Sequence, residues 1–575
     1  GDGFDDIIIG ASNAAGASNF PQSGAGESYV IFGHAGVFAD IDLGSLAPAD
    51  GFALYGADID DHSGFTVSSA GDINGDGFDD LIVGAYLADG AGGADYGESY
   101  VIFGKAGGFT DIDLGAIAPG DGFTITGGGG GDQAGWSVAS AGDVNGDGFD
   151  DIIVGAPRAG GIGDLESSAG ESYVIFGKAG GFADIDVSAL TPADGFTIYG
   201  ADAGDRSGYS VSSAGDVNGD GYEDVIVGAI GARGAGNLTF NSGEAYVVFG
   251  KASGIADIDL GALSPADGFT IRGADASDTL GRSVSSAGDV NGDGFDDIIV
   301  GAWFAEVDIT LSGMGESYVI FGKADGFGPI DVDALTPTEG FTILGGTMGD
   351  RAGGSVSAAG DVDGDGYDDI IVGAPLAAGT GALGSTAGES YVLFGSDLTG
   401  AVTHAGTEFS EVLTGTIDAD VMVAGQGDDT VNGGGGEDVL IGASGDDLLS
   451  IGDTNFARID GGTGYDTVAL DGAGESLDLT LLGSSEIEGV EAFDLSGSGD
   501  NELILNAQDV LQLSDETNDL HVFGDGGDSV TLEGDFAAAG QEIIDGTTFD
   551  VYVSASTEAR VLTETVDVNV TLVVV

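Results

Sequence analysis

The sequence predicts an all-β fold built from repeated short strands, followed by a second all-β stretch of different period. Three observations predict it. The phrase SAGDVNGDGFDDIIVGA (140–156) returns in near-copies at 69–85, 213–229, 286–302 and 359–374, about every 72 residues. Between copies, short alternating apolar runs are bounded by Gly, Asp and Pro turns. After residue 395 a nine-residue glycine-rich register takes over. Internal periods of this kind set architecture, because each unit must bury its apolar face on a neighbour.

Composition narrows the partners. A chain of 575 residues is long enough for several cores. Its 98 acidic residues against 12 basic ones give a net charge of -86, and repulsion between like charges argues against nucleic acid and anionic membrane as partners. Such acidity often accompanies disorder, but 42% hydrophobic residues in regular short runs argue for folding, with carboxylates that need cations. Cysteine is absent, so disulfides and thiolate metal sites are excluded. His34, His62, His404 and His521 share no spacing, which argues against a histidine zinc site. No apolar run reaches about eighteen residues, so no membrane span is expected. No cleavable signal peptide is visible either.

Each long unit reads in a fixed order. DGFTIYG (194–200) alternates like a strand. GYSVSSAGDVNGDGYEDVIVGA (208–229) places two strands around an acidic loop, and SGEAYVVFG (242–250) adds another. The linker IADIDLGALSPADGF (255–269) leads on. Four strands per repeat suit propeller blades better than stacked solenoid turns, and radial closure protects strand edges. Six units are countable, over residues 1–395. The first lacks its opening strand and half its loop, in GDGFDDIIIGA (1–11). A segment upstream is the favoured supplier. The alternating VDVNVTLVVV (566–575) is the other candidate, and its donation between molecules would make a polymer.

The acidic loop reads as a metal site. In DVNGDGFDD (143–151), Asp143, Asn145, Asp147 and Asp151 hold positions 1, 3, 5 and 9. Gly148 permits a sharp turn, and the carbonyl of Phe149 is expected to face inward. Hard oxygens on one tight loop suit calcium better than magnesium, which keeps its waters. The same spacing gives Asp72, Asn74, Asp76, Phe78 and Asp80, then Asp216, Asn218, Asp220, Tyr222 and Asp224. It also gives Asp289, Asn291, Asp293, Phe295 and Asp297, then Asp361, Asp363, Asp365, Tyr367 and Asp369. The first copy keeps only Asp2 and Asp6.

GDVNGDGFDDIIVGAP, flanked by G-x-SV and GESYVIFG, resembles the FG-GAP repeat of integrin α-subunit propellers and their bacterial relatives. The resemblance covers about residues 1–395 and implies a propeller with calcium loops between the first two strands of each blade. Integrin heads have seven blades against the six units here, so the blade number stays open between six and seven.

After Gly395 come GTEFSEVLT, GTIDADVMV, AGQGDDTVN, GGGGEDVLI and GASGDDLLS (406–450), then GGTGYDTVA (461–469). The pattern G-G-x-G-x-D-x-U-x is that of a parallel β-roll with calcium between turns. Asp420, Asp429, Asp438, Asp447 and Asp466 are the candidate ligands, and Leu440 and Leu449 should face the interior. This stretch resembles the repeats-in-toxin family and defines a domain at 396–470. The remainder, 471–575, with IEGVEAFDLSGSGDNELILNAQDVLQLSDETNDLHVFGDGGDSVTLEGDF (487–536), is similar to C-terminal regions of bacterial proteins exported by type I secretion. That resemblance implies an uncleaved export signal in a β-rich C-terminal domain.

Catalytic motifs are missing: there is no G-x-S-x-G, H-E-x-x-H or P-loop. Acids repeated in every unit read as structural: Glu27, Glu98, Glu171, Glu244, Glu316 and Glu389, and Asp61, Asp132, Asp205, Asp278 and Asp350. Trp136 and Trp303 are single departures, read as core or rim residues. The expectation is a secreted, calcium-binding, non-enzymatic protein of the cell surface or matrix. Its expected partners are calcium ions, copies of itself in an oligomer or filament, and a surface glycan or protein. A secreted hydrolase, or the scaffold of one, is the alternative.

Overall fold

The computed structural model of the chain describes residues 6–15, 24–34, 40–89, 95–164, 166–234, 239–252, 255–306, 313–324, 326–378, 387–407, 409–483, 485–514, 517–544, 546–557, 559–565 and 568–573. Six consecutive sheets form the first part; the sheets of the second are parallel except for the antiparallel strands Phe536–Ile544, Thr547–Ser554 and Arg560–Glu564 at the end of one of them. The third sheet shows the common plan. Ser137–Gly142, Asp151–Ala156, Glu171–Ile175 and Gly195–Tyr199 lie side by side, antiparallel, from inner to outer strand. The arrangement is propeller-like, with the inner strands of successive sheets adjacent in chain order.

The second strand explains why the sheets stack. DIIVGA is buried along its whole length at Asp151–Ala156. Ile152 and Val154 pack with Ile73, Ile82 and Phe123 of the preceding unit. Ile153 points the other way, to Val211, Val225 and Val227 of the following unit. A strand covered on both faces needs an unbroken apolar run. Stacked phenylalanines wedge neighbouring sheets apart at the outer end, with ring centroids 4.7 Å apart for Phe123 and Phe182 and 4.1 Å for Phe269 and Phe327.

One reading of the sequence needs correction. The DGFTIYG segment does not open a sheet; it closes the one before it, pairing Glu171 with Tyr199 and Ile175 with Gly195. Structural and sequence units are therefore offset by one strand, because a period alone has no starting point. The linker motif ADIDLG then seals that outer edge. Ile258–Asp259 adds a two-residue parallel strand beside Gly195–Tyr199, and Asp257 accepts the Thr197 N–H at 3.1 Å. Asp259 caps the short 3-10 turn Leu260–Ala262. Asp111 and Asp184 repeat the contact on Ala53 and Thr124.

The C-terminal part is a parallel solenoid. Its interior column, Leu413, Met422, Val431, Leu440, Leu449, Ile459 and Val468, is buried, so Leu440 and Leu449 face inward as expected. Parallel pairing runs on beyond residue 470, through Ala492–Asp494 and Asp519–Phe523 to Arg560–Glu564. The strand Asn569–Val573 pairs with Ser529–Glu533. The C-terminal segment named as a donor for the first unit is thus paired along one side within its own solenoid, at the edge of that sheet. No described helix is long and apolar enough to cross a membrane.

Candidate metal centres

In each full acidic loop the first Asp organises the backbone. Asp143 accepts the N–H groups of Gly146 at 2.7 Å, Asp147 at 3.1 Å and Gly148 at 2.8 Å. Asp147 accepts the Phe149 N–H at 3.2 Å. Asn145 donates to Asp151 at 3.4 Å, and Asp151 also accepts the Gly177 N–H at 2.8 Å. The loops at 216 and 289 repeat the first-Asp pattern. In the loop at 72, Asp72 accepts Asp76 and Gly77, and Asn74 reaches Asp80 at 3.1 Å. In the last loop, Asp361, Asp363 and Asp369 bring one carboxylate oxygen each to within 4.8 Å of the others. Asp6 accepts the Gly33 N–H at 2.7 Å, as the ninth residue does elsewhere. Asp2 lies outside the described residues.

The seventh residues have a packing role. The rings of Phe149, Tyr222, Phe295 and Tyr367 each cover the fourth-position glycine of the loop before, where a Cβ would come within 2.3 to 2.5 Å. The sixth-position glycines likewise have two reasons to be glycine. All five take φ between 81° and 87°. All five also face the C-terminal solenoid: Asn518 lies over Gly77, Gln508 over Gly148, Gly483 and Glu486 over Gly221, Val439 over Gly294 and Val423 over Gly366. The solenoid therefore lies along the loop end of the sheets. Gln426 donates to the Asp363 carbonyl at 2.6 Å, and Ser444 to that of Gly364 at 3.2 Å. Tyr367 packs with Val423, Val439, Ile441 and Ala443.

A further acid escaped the sequence reading. The eighth loop residue reaches back to the previous loop, where Asp150 accepts the Asp72 N–H, Asp296 that of Asp216 and Asp368 that of Asp289, each at 2.8 Å. Its signal was repetition: position 8 is acidic in every copy, Asp79, Asp150, Glu223, Asp296 and Asp368.

In the solenoid, successive nonapeptides fall on opposite sides. One side aligns Glu411, Asp429, Asp447, Asp466 and Glu491, and each after Glu411 accepts the N–H of the residue before it in the row at 2.6 to 2.7 Å. The other side pairs Asp420 with Asp438 at 2.8 Å. Glu411 and Glu491 were missed because they put Glu where the pattern asks for Asp, although Glu411 stands at position six of the first nonapeptide. The row leaves Glu411 Oε1, Asp429 Oδ2, Asp447 Oδ2 and Asp466 Oδ2 buried without a hydrogen-bond partner. Buried, unpartnered carboxylate oxygens in a line fit a hard divalent cation, which takes six to eight oxygens when it is calcium. The loops fit it by donor type, offering oxygen and no imidazole or thiol.

The FG-GAP repeat family matches residues 63–102, 134–175, 207–248, 280–305 and 352–393. The RTX calcium-binding nonapeptide repeat, in four copies, matches 414–449. This chain carries calcium-binding repeats. Integrin alpha pat-2 of Caenorhabditis elegans is 33% identical over 258 residues, covering 43% of this chain and 18% of that protein. Integrin alpha-V of Gallus gallus is 31% identical over 242 residues, covering 42% and 20%. Phosphatidylinositol-glycan-specific phospholipase D of Bos taurus is 35% identical over 173 residues, covering 30% and 19%. The chain thus spans about a fifth of the length of these relatives.

The acids repeated outside the FG-GAP loops are locked in turns or on strands. Glu98 and Glu171 accept from the tyrosine two residues on, at 2.7 and 2.6 Å. Asp61, Asp205, Asp278 and Asp350 accept an N–H three residues back.

Burial raises the loop and row carboxylates: Asp143 and Asp216 to about 6, Asp289 and Asp447 to about 7, Asp80 and Asp466 to about 8. Neighbouring carboxylates add to the rise. Unfolded, these groups titrate near 4. Between those limits the metal-free folded chain holds more protons than the unfolded one, so its stability falls as pH rises from about 4 to 8. Protons compete with calcium, so the loaded chain should run the other way. In chelator, Tm by scanning calorimetry should be higher at pH 5.5 than at pH 8; in millimolar calcium the order should reverse. Equal Tm values in chelator would refute the assignment.

Proposed function

We propose that the chain is a secreted, non-enzymatic, calcium-dependent structural or adhesive protein of a bacterial cell surface or extracellular matrix. The observation that carries this reading is the contact between the two kinds of calcium repeat: the RTX solenoid lies on the acidic-loop end of the FG-GAP sheets. The ligands in this reading are the loop residues from Asp72 to Asp369 at positions 1, 3, 5, 7 and 9, with Asp2 and Asp6, and the row residues Asp420, Asp429, Asp438, Asp447 and Asp466.

Inside a cell, where free calcium is low, closely spaced carboxylates repel and keep the chain loose enough for export through a type I route read from its C-terminal region. Outside, binding to the folded form alone favours that form by mass action. The rigid product would then join copies of itself, or hold a surface glycan or protein. The match to phosphatidylinositol-glycan-specific phospholipase D supports a second reading, in which the sheets form the scaffold of a secreted hydrolase.

Light scattering after size-exclusion chromatography tests the assembly that the structural reading requires. The first expects large assemblies in millimolar calcium that dissolve in chelator. A compact monomer under both conditions would remove the structural reading and leave a soluble adhesin or the hydrolase scaffold.

A further inference from the structure

The opposite end of the sheets from the acidic loops carries a feature that breaks the repeat. One residue stands just before the S/T-V of each inner strand: Phe65, Trp136, Tyr209, Arg282 and Gly354 in turn. Another follows the Gly-Ala that ends the second strand: Tyr86, Pro157, Ile230, Trp303 and Pro375. Loops that are nearly identical at one end thus face, across the same strands, a ring of diverged residues at the other.

Those side chains form a continuous arc. Ring centroids lie 4.5 Å apart for Phe65 and Tyr86, 5.0 Å for Phe65 and Trp136, 4.9 Å for Tyr86 and Trp136, and 5.3 Å for Trp136 and Tyr209. Arginines continue it. Arg282 lies 4.9 Å from the rings of both Tyr209 and Trp303, and Arg351 lies 5.2 Å from Trp303 and 4.5 Å from Phe304. Phe65 and Phe304 are 41% and 42% exposed, and the members between them are partly open to solvent.

Two positive charges lie together in this arc. The chain has 98 acids for 12 bases. Lysines 105, 178 and 251 and arginines 272, 458 and 560 pair with carboxylates, whereas Arg158, Arg206, Arg233 and Lys323 form no ion pair among the described residues. Among the described residues neither Arg282 nor Arg351 has a carboxylate within 4.0 Å; both stack on rings instead, side by side. Two adjacent guanidiniums on a surface this acidic leave an anion-binding spot, and the flat rings beside it offer faces on which pyranose rings stack.

We propose that this arc binds an anionic polysaccharide, its sugar rings on Phe65, Trp136 and Tyr209 and its carboxylates on Arg282 and Arg351. The elongated run of rings suits a chain of sugars. The proposal adds a ligand to the adhesive reading but does not depend on assembly, which is measured separately.

Trp136 and Trp303 are the only tryptophans of the chain, and both lie in the arc, so intrinsic fluorescence reports this site directly. The calcium-loaded full chain is titrated with hyaluronan oligosaccharides, with neutral dextran oligosaccharides and with poly-glutamate. A saturable emission change with hyaluronan is expected, at least tenfold tighter than with dextran, and weakened at least tenfold in Arg282→Gln/Arg351→Gln. Trp136→Phe, which keeps an aromatic face, should retain binding while losing part of the signal. The unchanged Tm of each variant in calcium checks its fold. No saturable response to hyaluronan, or equal affinity in the double variant, would overturn the proposal. A response to poly-glutamate as tight as that to hyaluronan would replace the glycan by an acidic protein, and one to dextran as tight would remove the role of the arginines.

Discussion

Excess chelator lowers the Tm of the calcium-loaded chain by on the order of 20 °C. A ligand at about a hundred times its Kd contributes about 2.7 kcal/mol per site, provided it binds only the folded form. Roughly five such sites contribute about 13 kcal/mol, and each kcal/mol is worth about 2 °C in a large domain. The effect is largest where carboxylate oxygens are buried without partners, in the row Glu411, Asp429, Asp447 and Asp466. The expected sequence on heating in chelator is loss of the solenoid first and of the stacked sheets second. Calorimetry with and without calcium checks both the shift and the order. A Tm unmoved by chelator would mean that hydrogen bonds alone hold the loops.

Arg458→Ala should cost about 3–5 kcal/mol even in saturating calcium, because it strands buried carboxylates. Arg458 stands on the solenoid strand Phe456–Asp460. Its guanidinium reaches Asp296 at 3.3 Å and Asp460 at 3.4 Å and contacts Glu488. Asp296 in turn accepts the backbone N–H of Asp216. One cation thus joins the solenoid to two neighbouring acidic loops. Burial pushes Glu488 up to about 8 although Arg458 opposes the rise, a sign of how crowded with acids the place is. Arg458→Lys keeps the charge without the planar fork and should recover only part of the loss. Urea unfolding measures the cost, and limited proteolysis between residues 395 and 410 reports separation of the two parts. A loss below about 1 kcal/mol would place Arg458 among ordinary surface pairs.

The turn geometry of the loops is legible in the sequence because their hydrogen bonds are local: positions 1, 3, 5, 6 and 9 all meet within nine residues. The interior column of the solenoid was legible for the same reason. What the period hid was everything that crosses it. The partner of Asp150 is Asp72, 78 residues away, and spacing within one loop carries no sign of it. The outer strand Gly195–Tyr199 was assigned to the wrong side of a boundary, since alternation predicts a strand but not its neighbour. Gly148 was read as a turn residue, while the approach of Gln508, some 360 residues later, could not be inferred from it. Trp136 and Trp303 were noticed as departures from the repeat, but their junction through Tyr209 and Arg282 exists only in three dimensions.

The edge strand Ile258–Asp259 bears on where a shortened version of this molecule should be cut. The outer edge of each of the first four sheets is sealed not by its own unit but by the linker that leaves the following one. A fragment ended neatly after a sheet would expose Gly195–Tyr199 or its counterpart as an unpaired, apolar template for intermolecular pairing. Ending it one linker later, past the short turn capped by Asp259, keeps that template covered. Expression trials on such fragments would therefore yield soluble material in one register and inclusion bodies in the other, from chains that differ mainly in whether the sealing linker is present.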